Sequence, residues 1–210
     1  MKLFHAGGSP NARRVRILAA EHGLDLELVP VDLGSRAQFS EDYRAINPRA
    51  VVPTLVLDDG TSLGEAPVIM RYLDDASASA SLYGATAQDK AIVAMWERRA
   101  EQEGFAAVMD GVRNAAEGLK GRALSGPHRY EQIPELVERS KQRVANFYND
   151  LEARLTSVPF VAGEQFSAAD ITAMATVDFA TRAFAMPPAD THVALKRWHA
   201  QVASRPSAAA

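Results

Sequence analysis

The chain has 210 residues, 47% hydrophobic and 23% charged, with a net charge of −3 and no cysteine. That length suffices for one large domain or two small ones, each with a buried core. The nearly balanced charge argues against a nucleic-acid or anionic-membrane surface, and the lack of cysteine excludes disulfides, thiolate metal sites and any reaction using a thiol of the protein itself.

The opening segment, MKLFHAGGSP, has no long apolar stretch of the signal-peptide kind. No apolar run approaches the roughly 20 residues that span a bilayer, so a cytoplasmic location is expected. Residues 2–5 read as a short strand. The following SPNARRVRILAAEHG has the punctuation of a helix: Ser9 at the N-cap, Pro10 at the first helical position and Gly23 just past the end. Val15, Leu18 and Ala19 form its apolar stripe. Residues 26–31 read as a second strand and 35–46 as a short amphipathic helix or irregular segment.

In RAVVPTLVLDDGTSLGEAP two strands, 54–57 and 60–63, flank an Asp-Asp-Gly turn. Pro53 stands at the mouth of the first, where it removes a ladder donor. A cis peptide bond before Pro53 resolves that conflict and would leave the Val52 backbone open to an extended peptide ligand. A helix over about 65–75 completes the order β-α-β-α-β-β-α, whose first crossover demands a parallel pair and whose hairpin demands an antiparallel one.

Residues 74–86 form a Ser/Ala-rich connection without periodicity. The rest reads as helix: a long one from about 87, a loop over 121–134, another over about 134–155, and two more before Pro206. The domain reading is therefore 1–76, a linker 77–86, and an all-helical 87–210. Ser167 and Asp170 fit a capping box, with Phe166 and Ile171 as a hydrophobic staple. Phe105, Met109 and Arg113 repeat every four residues on one helix face. The five histidines show no metal-ligand spacing, no Ser/His/Asp triad is evident, and no metal is expected.

Four segments, SPNARRVRIL, INPRAVVPTL, GTSLGEAPVIMRYL and FSAADITAMATVDF, in this order and at these spacings, resemble the cytosolic glutathione transferase family, in its bacterial, serine-type (theta/delta/phi-like) form. The ending RWHAQVASRP is similar too. The resemblance covers essentially the whole chain and implies a thioredoxin-like N-terminal domain followed by a helical bundle. It implies glutathione as co-substrate, a homodimer, and attack of the glutathione thiolate on small apolar electrophiles; Arg98, Arg99 and Glu101, which flank the Phe105 face, read either as part of the dimer interface or as a solvated face. Glutathione-dependent peroxide or disulfide reduction, isomerisation, and a non-catalytic binding module stand as alternatives. Ser9 would donate its hydroxyl to the sulfur, with Asn11 as a second donor. Val52, beside Pro53, would pair its backbone with the cysteinyl amide. Glu65 would take the γ-glutamyl ammonium, the Ala66 N–H the γ-glutamyl carboxylate, and Arg49 the glycyl carboxylate. Phe105, Met109 and Arg113 would line the electrophile pocket. Two departures stand out: Ala66 where the family usually has Ser or Thr, and Arg49-Ala50 where serine-type members often carry Gln-His.

Overall fold

The computed structural model describes all 210 residues, Met1–Ala210. They divide into two compact units. The first is Met1–Ser81 with Ser125–His128 and Ala209–Ala210; the second is Leu82–Leu124 with Arg129–Ala208.

The first unit contains β1 (Lys2–His5), α1 (Pro10–Glu21), β2 (Glu27–Pro30), α2 (Glu41–Ile46), β3 (Thr54–Val56), β4 (Ser62–Leu63) and α3 (Ala66–Ala76). Its four strands lie in the order β2-β1-β3-β4. β1 pairs parallel with β2, and β3 pairs antiparallel with both β1 and β4. This is the thioredoxin-like arrangement. α1 packs on α3, burying Val15, Ile17 and Leu18 with Ile69, Met70 and Leu73 completely. Each such side chain is worth about 1.5–3 kcal/mol of transfer free energy.

α1 is punctuated as its sequence indicates. The Ser9 Oγ accepts the Ala12 N–H at 3.3 Å. At the other end Gly23 takes φ 63°, where a side chain would be strained. There Gly23 N–H bonds to Ala20 C=O and Leu24 N–H to Ala19 C=O, a Schellman stop. Just before it, buried His22 meets Asp74 of α3 at 2.9 Å, and Ser81 Oγ donates to the other Asp74 oxygen.

The segment 35–46 is not one helix. It splits into a 3-10 turn, Ala37–Phe39, and α2, because Ser40 is extended and caps α2 by accepting from Tyr43 N–H. β4 is shorter than its pattern suggests. Asp59 turns the chain by accepting the Thr61 N–H at 2.8 Å, which leaves only Ser62–Leu63 to pair.

The second unit is helical: α4 (Ala87–Arg99), α5 (Ala106–Ala115), α6 (Glu135–Ser157), α7 (Ala168–Ala183) and α8 (Val193–Ala203). α4 and α5 are one continuous helix interrupted by a π turn, Ala100–Phe105. Gly104 sits in that turn hard against Phe147; a Cβ there would lie 2.6 Å from the ring. The linker is less passive than its composition suggests, since Tyr83 is fully buried and donates to Glu97.

The capping box at Ser167 and Asp170 is present. Asp170 takes more than the box requires. One oxygen accepts from the N–H and Oγ of Ser167, and the other from Val161 N–H and the Trp198 indole, all at 2.8–2.9 Å. Burial pushes its carboxyl upward, and those donors hold it back. Ile171 is fully buried, while the Phe166 ring meets Phe160 edge-on and lies under Arg205.

Candidate functional site

Strand register assembles one edge of the first unit. Phe4 stands opposite Thr54 and Leu3 opposite Leu55, so the chain leaving β1 for Ser9 emerges beside the chain entering β3 from Pro53. Leu55 stands opposite Leu63, so the chain running from β4 into α3 leaves the sheet beside the start of β3. The loop before α1, the bend at Pro53 and the start of α3 therefore converge. Ala6, whose carbonyl accepts the Ser9 N–H, shares a buried cluster with Val31, Tyr43 and Val52.

The Val52–Pro53 peptide bond is cis. Behind it, three buried side chains grip one carbonyl. Val51 C=O accepts from Tyr43 Oη at 2.6 Å and from Asn47 Nδ2 at 3.1 Å. Asn47 Nδ2 also donates to Thr54 Oγ1 at 2.8 Å, and the Tyr43 and Thr54 hydroxyls lie 3.0 Å apart. Burial raises the Tyr43 phenol, with the Thr54 and Asn47 bonds opposing it, so it is a protonated donor throughout the neutral range. The Asn47 oxygen accepts the Arg49 N–H at 2.9 Å. Ala50 is buried at φ 53°. With the preceding carbonyl fixed, Val52 offers its own N–H and C=O, which bond to no other group of the protein. That edge suits an extended peptide.

Glu65 is exposed and adopts φ 62°, ψ 114° at the N-cap of α3. Non-glycine residues pay about 1–3 kcal/mol for such conformations, which cluster at ligand sites. The next residue, Ala66, is buried, and its N–H points out of a helix start whose second residue, Pro67, has none. Such a helix start favours an anion.

Ser9 is half-buried. Its oxygen serves the α1 cap, which leaves its proton available to another acceptor. Asn11, also half-buried, accepts on Oδ1 from the guanidinium of fully buried Arg14. Nearby, His5 Nδ1 lies 3.2 Å from Arg16. Desolvation, then the Arg16 charge, lowers the imidazole below its ordinary 6.5. Arg49 is exposed, with the backbone of Gly126 beside its guanidinium.

The remaining candidates lie in the second unit. Phe105 is buried against Phe179, ring centroids 5.9 Å apart. Met109 is half-buried. Arg113 donates to the carbonyls of Arg122 and Leu124 at 2.6 and 3.0 Å, bracing the loop that follows α5. Arg99 stacks on Trp96. Sequence reasoning missed Tyr43, Asn47, Thr54 and Arg14. The Asn-Pro dipeptide ahead of the Val-Pro pair was visible, but nothing in the pattern says that its carboxamide reaches Thr54.

Sequence models of the glutathione S-transferase N-terminal domain and C-terminal domain match residues 3–81 and 114–206. The chain is 30% identical to glutathione S-transferase 2 of Saccharomyces cerevisiae over 99% of its length and 87% of that protein's. It is 29% identical to the disulfide-bond oxidoreductase YfcG of Escherichia coli over 95% of this chain and 88% of that one. Among solved structures, a glutathione S-transferase domain-containing protein of Marinobacter aquaeolei superposes with a TM-score of 0.90 at 36% identity, over 99% of both chains.

Proposed function

Because the chain belongs to the glutathione S-transferase family, we propose that its first unit binds glutathione along the Pro53 edge and that Ser9 and Asn11 hold the glutathione sulfur as a thiolate. The thiolate then attacks the electrophilic carbon of a small apolar substrate. A C–S bond forms as the bond to the leaving group breaks, and the thiol proton passes to solvent. A free thiol ionises near pH 8.5. A hydroxyl proton, a carboxamide N–H and the positive end of α1 each favour the anion. Together they lower the thiol pKa by one to two units, about 1.4 kcal/mol per unit.

The observation that carries this reading is the convergence of three chain segments, set by register, around a Val52 backbone whose hydrogen-bonding groups are unpaired. In the proposed complex Val52 pairs with the cysteinyl amide. Glu65 takes the γ-glutamyl ammonium, the Ala66 N–H the adjacent carboxylate, and Arg49 the glycyl carboxylate. With alanine at 66, a hydroxyl donor to that carboxylate is missing. Bonds to charged groups are worth about 1.5–3 kcal/mol, so Ala66→Ser should tighten glutathione by tenfold or more. Met109, with Phe105 and Arg113 on successive turns, is our candidate surface for the electrophile, and a homodimer our candidate assembly.

A second reading, glutathione-dependent disulfide reduction, draws support from the relative named as a disulfide-bond oxidoreductase. The attacking sulfur would again be glutathione's, since the chain has none of its own to offer as cysteine. Chromatography on immobilised glutathione, followed by turnover of a panel of aryl halides and small disulfides, tests both. Retention with conjugation of the halides supports the first reading, and disulfide reduction alone selects the second. Absence of retention and of any glutathione-dependent turnover would refute both.

A further inference from the structure

We infer that Arg14 is a positioning residue which, by occupying the carboxamide oxygen of Asn11, fixes that amide as a hydrogen-bond donor toward the ligand. The inference rests on the reading that Asn11 lies beside the glutathione sulfur. Three observations carry it. Arg14 is only 1% exposed, on a helix whose neighbouring buried positions are Ala12, Val15, Ile17 and Leu18. A buried guanidinium is costly to desolvate and is held in place by the hydrogen bonds it makes. Asn11 and Arg14 are three residues apart and so share one face of α1. The Arg14 guanidinium donates to Asn11 Oδ1.

The chemistry follows from the donor inventory. A primary amide has an acceptor end and a donor end, and rotation about its last torsion exchanges them. A guanidinium has five N–H groups and no acceptor. With Arg14 on one side, Asn11 must turn its oxygen inward and its NH₂ outward. Without that partner, the carboxamide could equally present its oxygen, which would repel a thiolate. Arg14 thus selects the anion-binding orientation of a residue in the first turn of α1, where the helix end already favours negative charge. It touches neither ligand nor reacting atoms.

The test is the ionisation of glutathione bound to the full chain, followed by thiolate ultraviolet absorbance against pH, with glutathione affinity and thermal melting recorded alongside. Asn11→Ala should raise the apparent thiol pKa by about one unit, a tenfold loss of thiolate at lower pH. Arg14→Met should raise it comparably, and the double variant no further, because both remove one interaction. Arg14→Lys, which keeps a donor-only partner, should restore most of the shift. An Arg14→Met protein that melts cooperatively and binds glutathione but titrates like wild type would overturn the inference, as would an Asn11→Ala protein with an unchanged thiol pKa. Should Arg14→Met not fold, Asn11→Asp decides. With Arg14 on its inner oxygen, that variant keeps wild-type stability or better, yet its thiol titrates at higher pH than in Asn11→Ala. Lower stability, or a thiol pKa no higher than in Asn11→Ala, overturns the inference. If wild-type protein binds no thiolate at all, the reading of the whole site fails instead.

Discussion

Tyr43, Asn47 and Thr54 direct their side-chain donors at one peptide carbonyl, that of Val51, and at one another. Their task is to hold the backbone just ahead of Pro53. Tyr43→Phe removes the 2.6 Å bond and should cost about 1–2 kcal/mol of stability. If glutathione pairs with the Val52 backbone as proposed, the variant should raise KM for glutathione more than it lowers kcat in steady-state kinetics, because Tyr43 orders the backbone ahead of Val52. A change confined to kcat would contradict that assignment. His5 offers a pH test. Its folded-state pKa is depressed, first by desolvation and then by Arg16, so the unfolded chain binds more protons than the folded one around its titration. Its contribution is therefore present above about pH 6.5 and lost as pH falls through the lower folded value. Denaturant midpoints should drop below pH 6.5 in wild type and flatten on that limb in His5→Gln; parallel curves would contradict the sign. Little of this was legible in the sequence. Ser9 and Glu65 sit in local motifs, but the Tyr43–Asn47–Thr54 network and the Asn11–Arg14 pair depend on side-chain reach across a turn, which periodicity does not encode.

Elements with strong local punctuation were legible to within a residue or two. α1 carries Ser9, Pro10 and Gly23 at its ends, and each acts as its position dictates. The Ser167–Asp170 box was equally readable, but not what Asp170 does beyond it. A capping residue alone costs about 1–2 kcal/mol to remove. Asp170→Ala would also strand the buried Val161 N–H and Trp198 indole. Each stranded donor costs about 1–3 kcal/mol, so the loss should be at least about 3 kcal/mol in denaturant melts, with glutathione affinity per folded molecule unchanged. A loss of 1 kcal/mol or less would mean the network is replaceable. The π turn between α4 and α5 was invisible, because its residues are ordinary helix formers apart from Gly104. What holds Gly104 there is tertiary: the Phe147 ring occupies the space a side chain at 104 would need. Gly104→Ala should destabilise by about 1–3 kcal/mol through overpacking, readable as a lowered melting temperature; an unchanged one would show that the ring moves aside freely.

Taken as a molecule, the chain joins a four-stranded unit to a helical unit in which α7 buries Ile171, Met174 and Val177 together with Asp170, Thr172 and Thr176. The β-α-β-α-β-β-α order, and with it the parallel and antiparallel pairs, followed from spacing alone, because crossover length and turn chemistry leave few alternatives. The identity of the electrophile did not. It depends on how Met109 and its neighbours present their surface, and Phe105 and Arg113 are already engaged within their own unit. The expected homodimer should sediment as two chains; a monomer at micromolar concentration would remove Arg98, Arg99 and Glu101 from interface duty. The central claim is narrower: a protein without a thiol of its own keeps glutathione's thiol ionised at neutral pH, using the first turn of α1. Ultraviolet titration of the wild-type glutathione complex tests it most directly. The bound thiol should ionise one to two units below the free value of about 8.5, and Ser9→Ala should move it back toward that value. A bound thiol that titrates as it does in water, with or without Ser9, would contradict the claim.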